Sequence, residues 1–426
     1  MKKIKIILLG FCCWSSLVVA QDIDYARYIL DTLCSPAMHG RGYVEKGEKI
    51  AADFIAQEFE KLGLAKVGKS YQQQYSVSVN ALPGKLEIQL DKQKLRPGFD
   101  YLVDPGSPNG KGRFSIMHIS EDELLDEDAL IPFIKAATGK FIGISPAKVE
   151  LNKEQKKEIQ GIISFIKYHE NNPAAGTIIY TKDKLTWHGS TVQNLRPIIT
   201  VKLDSLVQHK KIEFEIESKF EKKYKTQNVI GFIEGQKADS TILLTAHYDH
   251  LGHMGAATYF PGANDNASGV SILLNLAKHY AKTGNKPEYS MLFIAFGAEE
   301  IGLLGSKYYT EHPLLPLEKI KFLINLDISG TGDEGIQVVN GSVYKEQFDL
   351  MVKINKENEF LQQVKIRGES CNSDHCMFHK KGVPSFFIYT LGGIKAYHDV
   401  YDKAETLPFT EFENYYKLLV EFIGRL

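Results

Sequence analysis

From residue 228 onward, short runs rich in β-branched and aromatic residues alternate with stretches of helical period. The strand candidates are 228–233, 241–246, 290–296, 321–327 and 384–389. Between the second and third, residues 267–282 put Val270, Leu273, Leu274, Ala277 and Tyr280 on one stripe, with Asn266 or Ser268 able to cap it. Strands separated by helices need crossovers, so the alternation predicts an α/β fold, a mostly parallel mixed sheet with helices on both faces. Such sheets carry their sites beyond the carboxyl ends of the strands.

The polar residues of this half fall at those ends. His247 ends the second strand, Glu299 and Glu300 follow the third, Asp327 ends the fourth, and Tyr397-His398-Asp399 follows the fifth. Asp265 precedes the helix, within Gly-Ala-Asn-Asp-Asn-Ala-Ser-Gly at 262–269. Each has an ordinary explanation alone: a single histidine is usually a surface or satisfied core residue, and a Glu-Glu pair usually opens a helix. Several metal-type residues after separate strands are harder to explain that way. Two histidines with three carboxylates suit zinc or a similar divalent ion. A carboxylate shared between two ions gives a pair about 3.5–4 Å apart, and Asp265 has no hydrophobic role to compete with bridging. Asp249, two residues from His247 in an extended segment, points to the same side and can hold that ring's tautomer. Glu299 is left beside the metals, in the position of a general base.

The rest of the chain frames this half. A length of 426 residues allows about two to three domains. A hydrophobic share of 43% with 24% charged residues is that of a globular protein. The net charge of −1 offers nothing to nucleic acid or to an anionic membrane surface. Residues 1–20 read as a signal peptide: Lys2, Lys3 and Lys5, an apolar run from 6 to 19, then Ala20. A membrane anchor would need a longer run, and Phe11 before Cys12 disfavours a lipoprotein. The expected mature protein starts at Gln21, is exported to the periplasm or outside the cell, and has no membrane contact once cleaved. In that oxidising setting Cys371 and Cys376 could close a short loop, with Cys34 left over. A zinc knuckle at Cys371, His375 and Cys376 lacks a fourth ligand nearby.

Residues 24–64 read as two helices joined by 35–42, where His39 and Arg41, exposed by pattern, either serve the site or tether the helices. Residues 84–225 change in texture, with many lysines, turn signals, short β-type runs at 85–90, 176–180, 197–201 and 211–216, and a helix at 153–169. They hold no catalytic constellation and read as an inserted, mostly β domain that frames or covers the substrate, with Trp187 as a core or lid residue. The division expected is thus 1–20, 21–83, 84–225 and 226–426, the first and third being signal and insert.

With these residues in order, the chain resembles metallopeptidase family 28, the co-catalytic zinc aminopeptidases related to glutamate carboxypeptidase and the transferrin receptor. The motifs are His-x-Asp, Gly-Ala-x-Asp-Asn-Ala-Ser-Gly, Glu-Glu-x-Gly-Leu-x-Gly-Ser, Asn-x-Asp and the late Tyr-His-Asp, over 24–64 and 228–426. The insert looks like a protease-associated domain. The resemblance implies a zinc exopeptidase fold and two zinc ions acting on peptides. One ion would be held by His247 and Asp327, the other by Glu300 and His398, with Asp265 bridging across a cis bond to Asn266. Asp249 would orient His247, Glu299 would take a proton from a metal-bridging water, and Tyr397 could stabilise the oxyanion. Ser373-Asp374-His375 matches a further family stretch near the site, without ligand roles. A glutaminyl cyclase of this fold uses one metal, a carboxypeptidase needs an arginine cluster that Arg41, Arg113, Arg196 and Arg367 are too scattered to form, and a non-catalytic module would tolerate lost ligands. The preferred N-terminal residue, peptide length and oligomeric state stay open.

Overall fold

The computed structural model describes residues 23–203, 208–282 and 286–426. The expected signal peptide, 1–20, lies outside the described residues.

The first of two eight-stranded sheets runs in the order 72–81, 219–233, 289–296, 237–247, 320–326, 385–390, 336–339, 364–366. Its four central strands, 289–296 through 385–390, are mutually parallel, and antiparallel strands flank them. Alternation along a strand sends neighbouring side chains to opposite faces. Ile242, Leu244 and Ala246 therefore enter one core with the helices Ile23–Cys34, Gly47–Lys61, Ser268–Ala281 and Phe412–Arg425. Leu243 enters another, against Tyr309 and Phe378 of the shorter helices Leu304–Glu311 and His375–His379. Burial on both faces makes these strands continuously apolar, which is why they were visible in the sequence.

Strands 72–81, 336–339 and 364–366 of this sheet, and the outer part of 219–233, were not visible in the sequence. Residues 72–81 pair antiparallel with 219–233, from Gln72 opposite Val229 to Ala81 opposite Lys219. This edge ribbon buries Tyr75, Val77 and Val79 and leaves the alternate positions more open, so its composition is polar. The expected strand at 228–233 is thus the inner end of one spanning Lys219–Ile233.

Between those two ribbon strands, the chain builds the second sheet in the order 93–94, 86–90, 211–216, 110–120, 141–145, 176–181, 198–202, 101–103. Helices Glu127–Ala136 and Lys153–Tyr168 accompany it. The second is closed by a reciprocal capping box between Asn152 and Gln155. Leu251, Met254, Phe260 and Val400, from the loops above the first sheet, join the second sheet's core beside Leu82, Trp187 and Tyr101. That shared core ties the two sheets together on the side where the first sheet's parallel strands end.

Candidate metal centre

His247 is the last residue of its strand, level with Phe296 on the parallel neighbour. The chain then turns at Gly297, whose missing Cβ leaves room for the Tyr248 hydroxyl, 2.9 Å from where that atom would sit. Glu299 and Glu300 follow at once. Asp327 leaves the next strand, and His398 arrives from the loop after 385–390. Asp265 sits in the distorted turn before helix Ser268–Ala281, where the bond to Asn266 is cis as expected. Asn266 does the capping: its Oδ1 accepts from Gly269 N at 3.0 Å, while Ser268 Oγ donates to the Asn264 carbonyl.

The structure brings these side chains to one spot. Asp265 divides its oxygens: Oδ1 lies 3.2 Å from His247 Nε2, and Oδ2 lies 3.0 Å from His398 Nε2. Asp327 Oδ1 completes the first side at 3.4 Å from His247 Nε2, and Glu300 Oε2 the second at 3.1 Å from His398 Nε2. Potential ligand atoms of His247, Glu299 and Asp327 lie within 4.8 Å of one another, as do those of His247, Asp265 and Glu300. Asp327 Oδ1 is buried without a hydrogen-bond partner, an arrangement that costs free energy unless something cationic meets it. Imidazole nitrogens with carboxylate oxygens are a zinc-like donor set.

The electrostatics agree. Burial opposes a charge on His398, but Glu300 and Asp265 outweigh it and push the ring up to about 11. His247 is also driven well above the ordinary range, against its burial, by Glu299 and Asp327. Burial raises Glu299 far above the usual carboxylate range, helped by Asp374, Glu300 and Asp327 and opposed by His247. Glu300 is held down to about 2: burial and Asp265 push up, but His398 and His250 prevail. Two imidazoles made to keep protons among this many carboxylates mark a place that favours positive charge.

The brace around the cluster differs from expectation in one respect. His247 Nδ1 donates to the backbone carbonyl of Asp249 at 3.1 Å, while the Asp249 carboxylate stands off at 3.8 Å. That carboxylate instead accepts from the amides of Glu299 at 3.1 Å and Glu300 at 3.3 Å. The strand ends at His247, so alternation no longer governs where Asp249 points. Tyr397 stacks on His398, with centroids 4.0 Å apart and planes 10° off parallel, and is 44% exposed.

Several partners escaped the sequence reading. His250, the last residue of His-Tyr-Asp-His, donates Nδ1–H to Glu300 Oε1 at 2.6 Å, leaving Oε2 toward His398. Its place in the motif was the signal available. Ser373 Oγ donates to Asp327 Oδ2 at 2.9 Å and accepts from Asn325 Nδ2, and Asn325 Oδ1 accepts from Thr245. Cys371 and Cys376 do form a disulfide around that serine, and Cys34 stays free and buried. Arg41 is wholly buried, not exposed. Its guanidinium donates to the carbonyls of Tyr248, Leu33, Pro261, Gly262 and Asp265, while Asp402 accepts the amides of Asn264 and Asp265. Arg41 thus tethers the loop that carries Asp265.

Known proteins resemble this chain in sequence and in fold. Residues 228–423 match the model of Peptidase family M28. Aminopeptidase YwaD of Bacillus subtilis is 33% identical over 171 residues, 38% of this chain and 34% of that protein. A probable leucine aminopeptidase of Trichophyton verrucosum is 28% identical over 307 residues, 66% of this chain and 73% of that one. The match thus spans about a third of the Bacillus relative and about three quarters of the fungal one. In overall fold the chain is similar to a zinc aminopeptidase from Bacillus subtilis, with TM-score 0.69, 21% identity and 94% of each chain covered. It is similar as well to a Peptidase M28 precursor from Shewanella amazonensis, with TM-score 0.71, 19% identity, and 94% and 92% covered.

Proposed function

Because the stretch 228–423 matches the model of Peptidase family M28, we propose that this protein is an exported di-zinc aminopeptidase that removes single residues from the free N-termini of peptides. The observation that carries the proposal is the division of Asp265 between His247 and His398, with Asp327 and Glu300 closing the two sides. The similar proteins named aminopeptidases support the direction of attack. So does the state of the arginines a carboxypeptidase would need. Arg41 is spent on backbone carbonyls, Arg113 on Glu213, Arg196 on the His169 carbonyl and Arg367 on Tyr389.

His247 and Asp327 would hold one ion, Glu300 and His398 the other, and Asp265 both. When bound, the ions supply Lewis-acid polarisation and an acidified water. The chain's own residues do the rest. Glu299 accepts the proton of the attacking water and returns it to the leaving amine. Burial among carboxylates, which raises its proton affinity, suits that cycle. The Tyr397 hydroxyl donates to the developing oxyanion, a kind of contact worth about 2.7–4 kcal/mol. Asp249 holds the amides of both glutamates in place. The inserted domain, 84–225, would frame the substrate.

Hydrolysis of a short peptide, its N-acetylated form and its C-terminal amide tests the reading. The free and amidated peptides should be cut one residue at a time and the acetylated one spared. Equal cleavage of the acetylated peptide would overturn it, and N-terminal sequencing at Gln21 tests export.

A further inference from the structure

The second sheet reaches the cluster through a loop of its own. Residues 184–189, between strands 176–181 and 198–202, run beside the loop that carries His398. His398 Nδ1 lies 2.9 Å from the Trp187 carbonyl. A carbonyl can only accept, so Nδ1 carries a proton and the ring is turned to present Nε2 to Asp265 and Glu300. The Trp187 amide returns a bond to the His398 carbonyl at 2.8 Å. Lys184 fixes the same loop with all its donors: the carbonyls of Lys395 at 2.7 Å and Tyr397 at 2.9 Å, and Asp399 Oδ2 at 2.7 Å. Asp399 is nearly buried, so this pair is better shielded than a surface one.

The strap is itself anchored. Trp187 Nε1 donates to the Val103 carbonyl at 2.7 Å, and its ring stacks on Phe260 at 4.8 Å. At Gly189 a Cβ would stand 2.3 Å from Ile301 Cγ2 and 3.2 Å from the Glu300 carbonyl, so only glycine lets the strap lie this close. The other side of the cluster has no such dependence. His247 is oriented by Asp249, and Asp327 by Ser373, all within the first sheet and its loops.

We propose that Lys184 is a positioning residue for one metal only: through the Trp187 strap, the second sheet holds His398 in register for the ion it shares with Glu300, while the His247–Asp327 ion is independent of it. The inference rests on the two-ion reading above. It also means that the segment 84–225, although it supplies no ligand side chain, is not neutral toward metal binding.

The test is a zinc titration of metal-free, full-length mature protein by calorimetry, with bound metal counted after dialysis. Wild type should take up two ions. In Lys184→Met, which keeps the aliphatic stem, one ion should bind about 10–100-fold more weakly, the usual loss for a group that orients a ligand, and the other within twofold of wild type. His398→Ala should abolish the same binding event and Asp327→Ala the other. Lys184→Arg should restore most of the loss, and Asp399→Asn should reproduce Lys184→Met from the opposite partner. Equal weakening of both ions, or none, in a Lys184→Met protein that melts like wild type overturns the inference and leaves the two-ion reading standing. Wild type that binds fewer than two ions overturns that reading first.

Discussion

The two sides of the carboxylate cluster are built by different means. His247 and Asp327 stand at the ends of adjacent parallel strands, and their side chains are 2% and 9% exposed. Their brace, Thr245 to Asn325 to Ser373, is carried by the same strands and the loop beside them. His398 comes from an irregular loop, with φ at 52° and its side chain 16% exposed, and it borrows its orientation from a segment 211 residues away in sequence. A side chain at a strand end is placed by sheet register, which the hydrophobic pattern fixes as a whole. A side chain on a loop needs a partner from elsewhere, and the chain provides one from its second sheet.

The largest expected effect lies where the sides meet, at the adjacent glutamates. Glu299→Gln should lower turnover by about 10²–10⁴-fold with metal content unchanged, the usual range for a general acid–base group. Glu300→Gln should instead loosen the His398-side ion, with activity partly recovered by added metal. Metal counts and turnover across a metal titration separate them, and the opposite pattern would exchange their roles.

Arg41→Met should damage both sides together, since Arg41 braces the loop carrying the shared Asp265. Stranding several buried carbonyls should cost about 3 kcal/mol or more, each unsatisfied group counting about 1–3 kcal/mol, read from the denaturant midpoint. A loss confined to one ion in a stable protein would contradict a shared brace.

Glu48 probes the ground beneath the His247 side. It accepts from Tyr224, Thr226 and Gln227, and Gln227 in turn bonds Tyr248. Burial lifts its carboxyl from 4.5 to about 7, against those three bonds. The folded state therefore binds the proton more tightly than the unfolded one. Its contribution is complete below 4.5 and is lost as pH rises through about 7, a span worth about 3 kcal/mol at 1.36 per unit. Glu48→Gln should flatten the fall in stability between pH 5 and 8. An unchanged slope in urea denaturation across that range would remove Glu48 from the account.

The smallest effect sharpens the comparison most directly. Ser373→Ala removes the donor to Asp327 Oδ2 and should weaken the His247-side ion about tenfold, the mirror image of Lys184→Met. If both variants weakened the same ion, the two sides would not be independent.

Much of this was legible in the chain. The central strands and the helix at 268–281 were found because burial on both faces leaves unbroken apolar runs and a stripe of helical period. The ribbon 72–81 with 219–227 was not, because an edge that faces water on one side is polar in composition. Among the site residues, His247, Asp265, Glu299, Glu300, Asp327 and His398 were each identified from position after a strand or within a motif, and the structure gathers all six. His250 and Asp402 were missed, Arg41 was misplaced, and Ser373 was placed near the site without its bond to Asp327, since the work of these residues is to hold something far along the chain.

Local pattern, then, located the central strands and the helix after Asp265, and so the residues at the strands' carboxyl ends, because side-chain alternation and helical period are properties of consecutive residues; it did not show that 228–233 pairs antiparallel with its neighbour. Only the tertiary structure decided how those residues are aimed. The Asp249 carboxylate turns to the amides of Glu299 and Glu300, the Arg41 guanidinium goes inward to carbonyls at 248 and 261–265, and the Trp187 carbonyl sets the His398 ring. Each of these is a hydrogen bond between groups about 50 to more than 200 residues apart. Its geometry exists only once sheet register and the shared core have brought the two ends together.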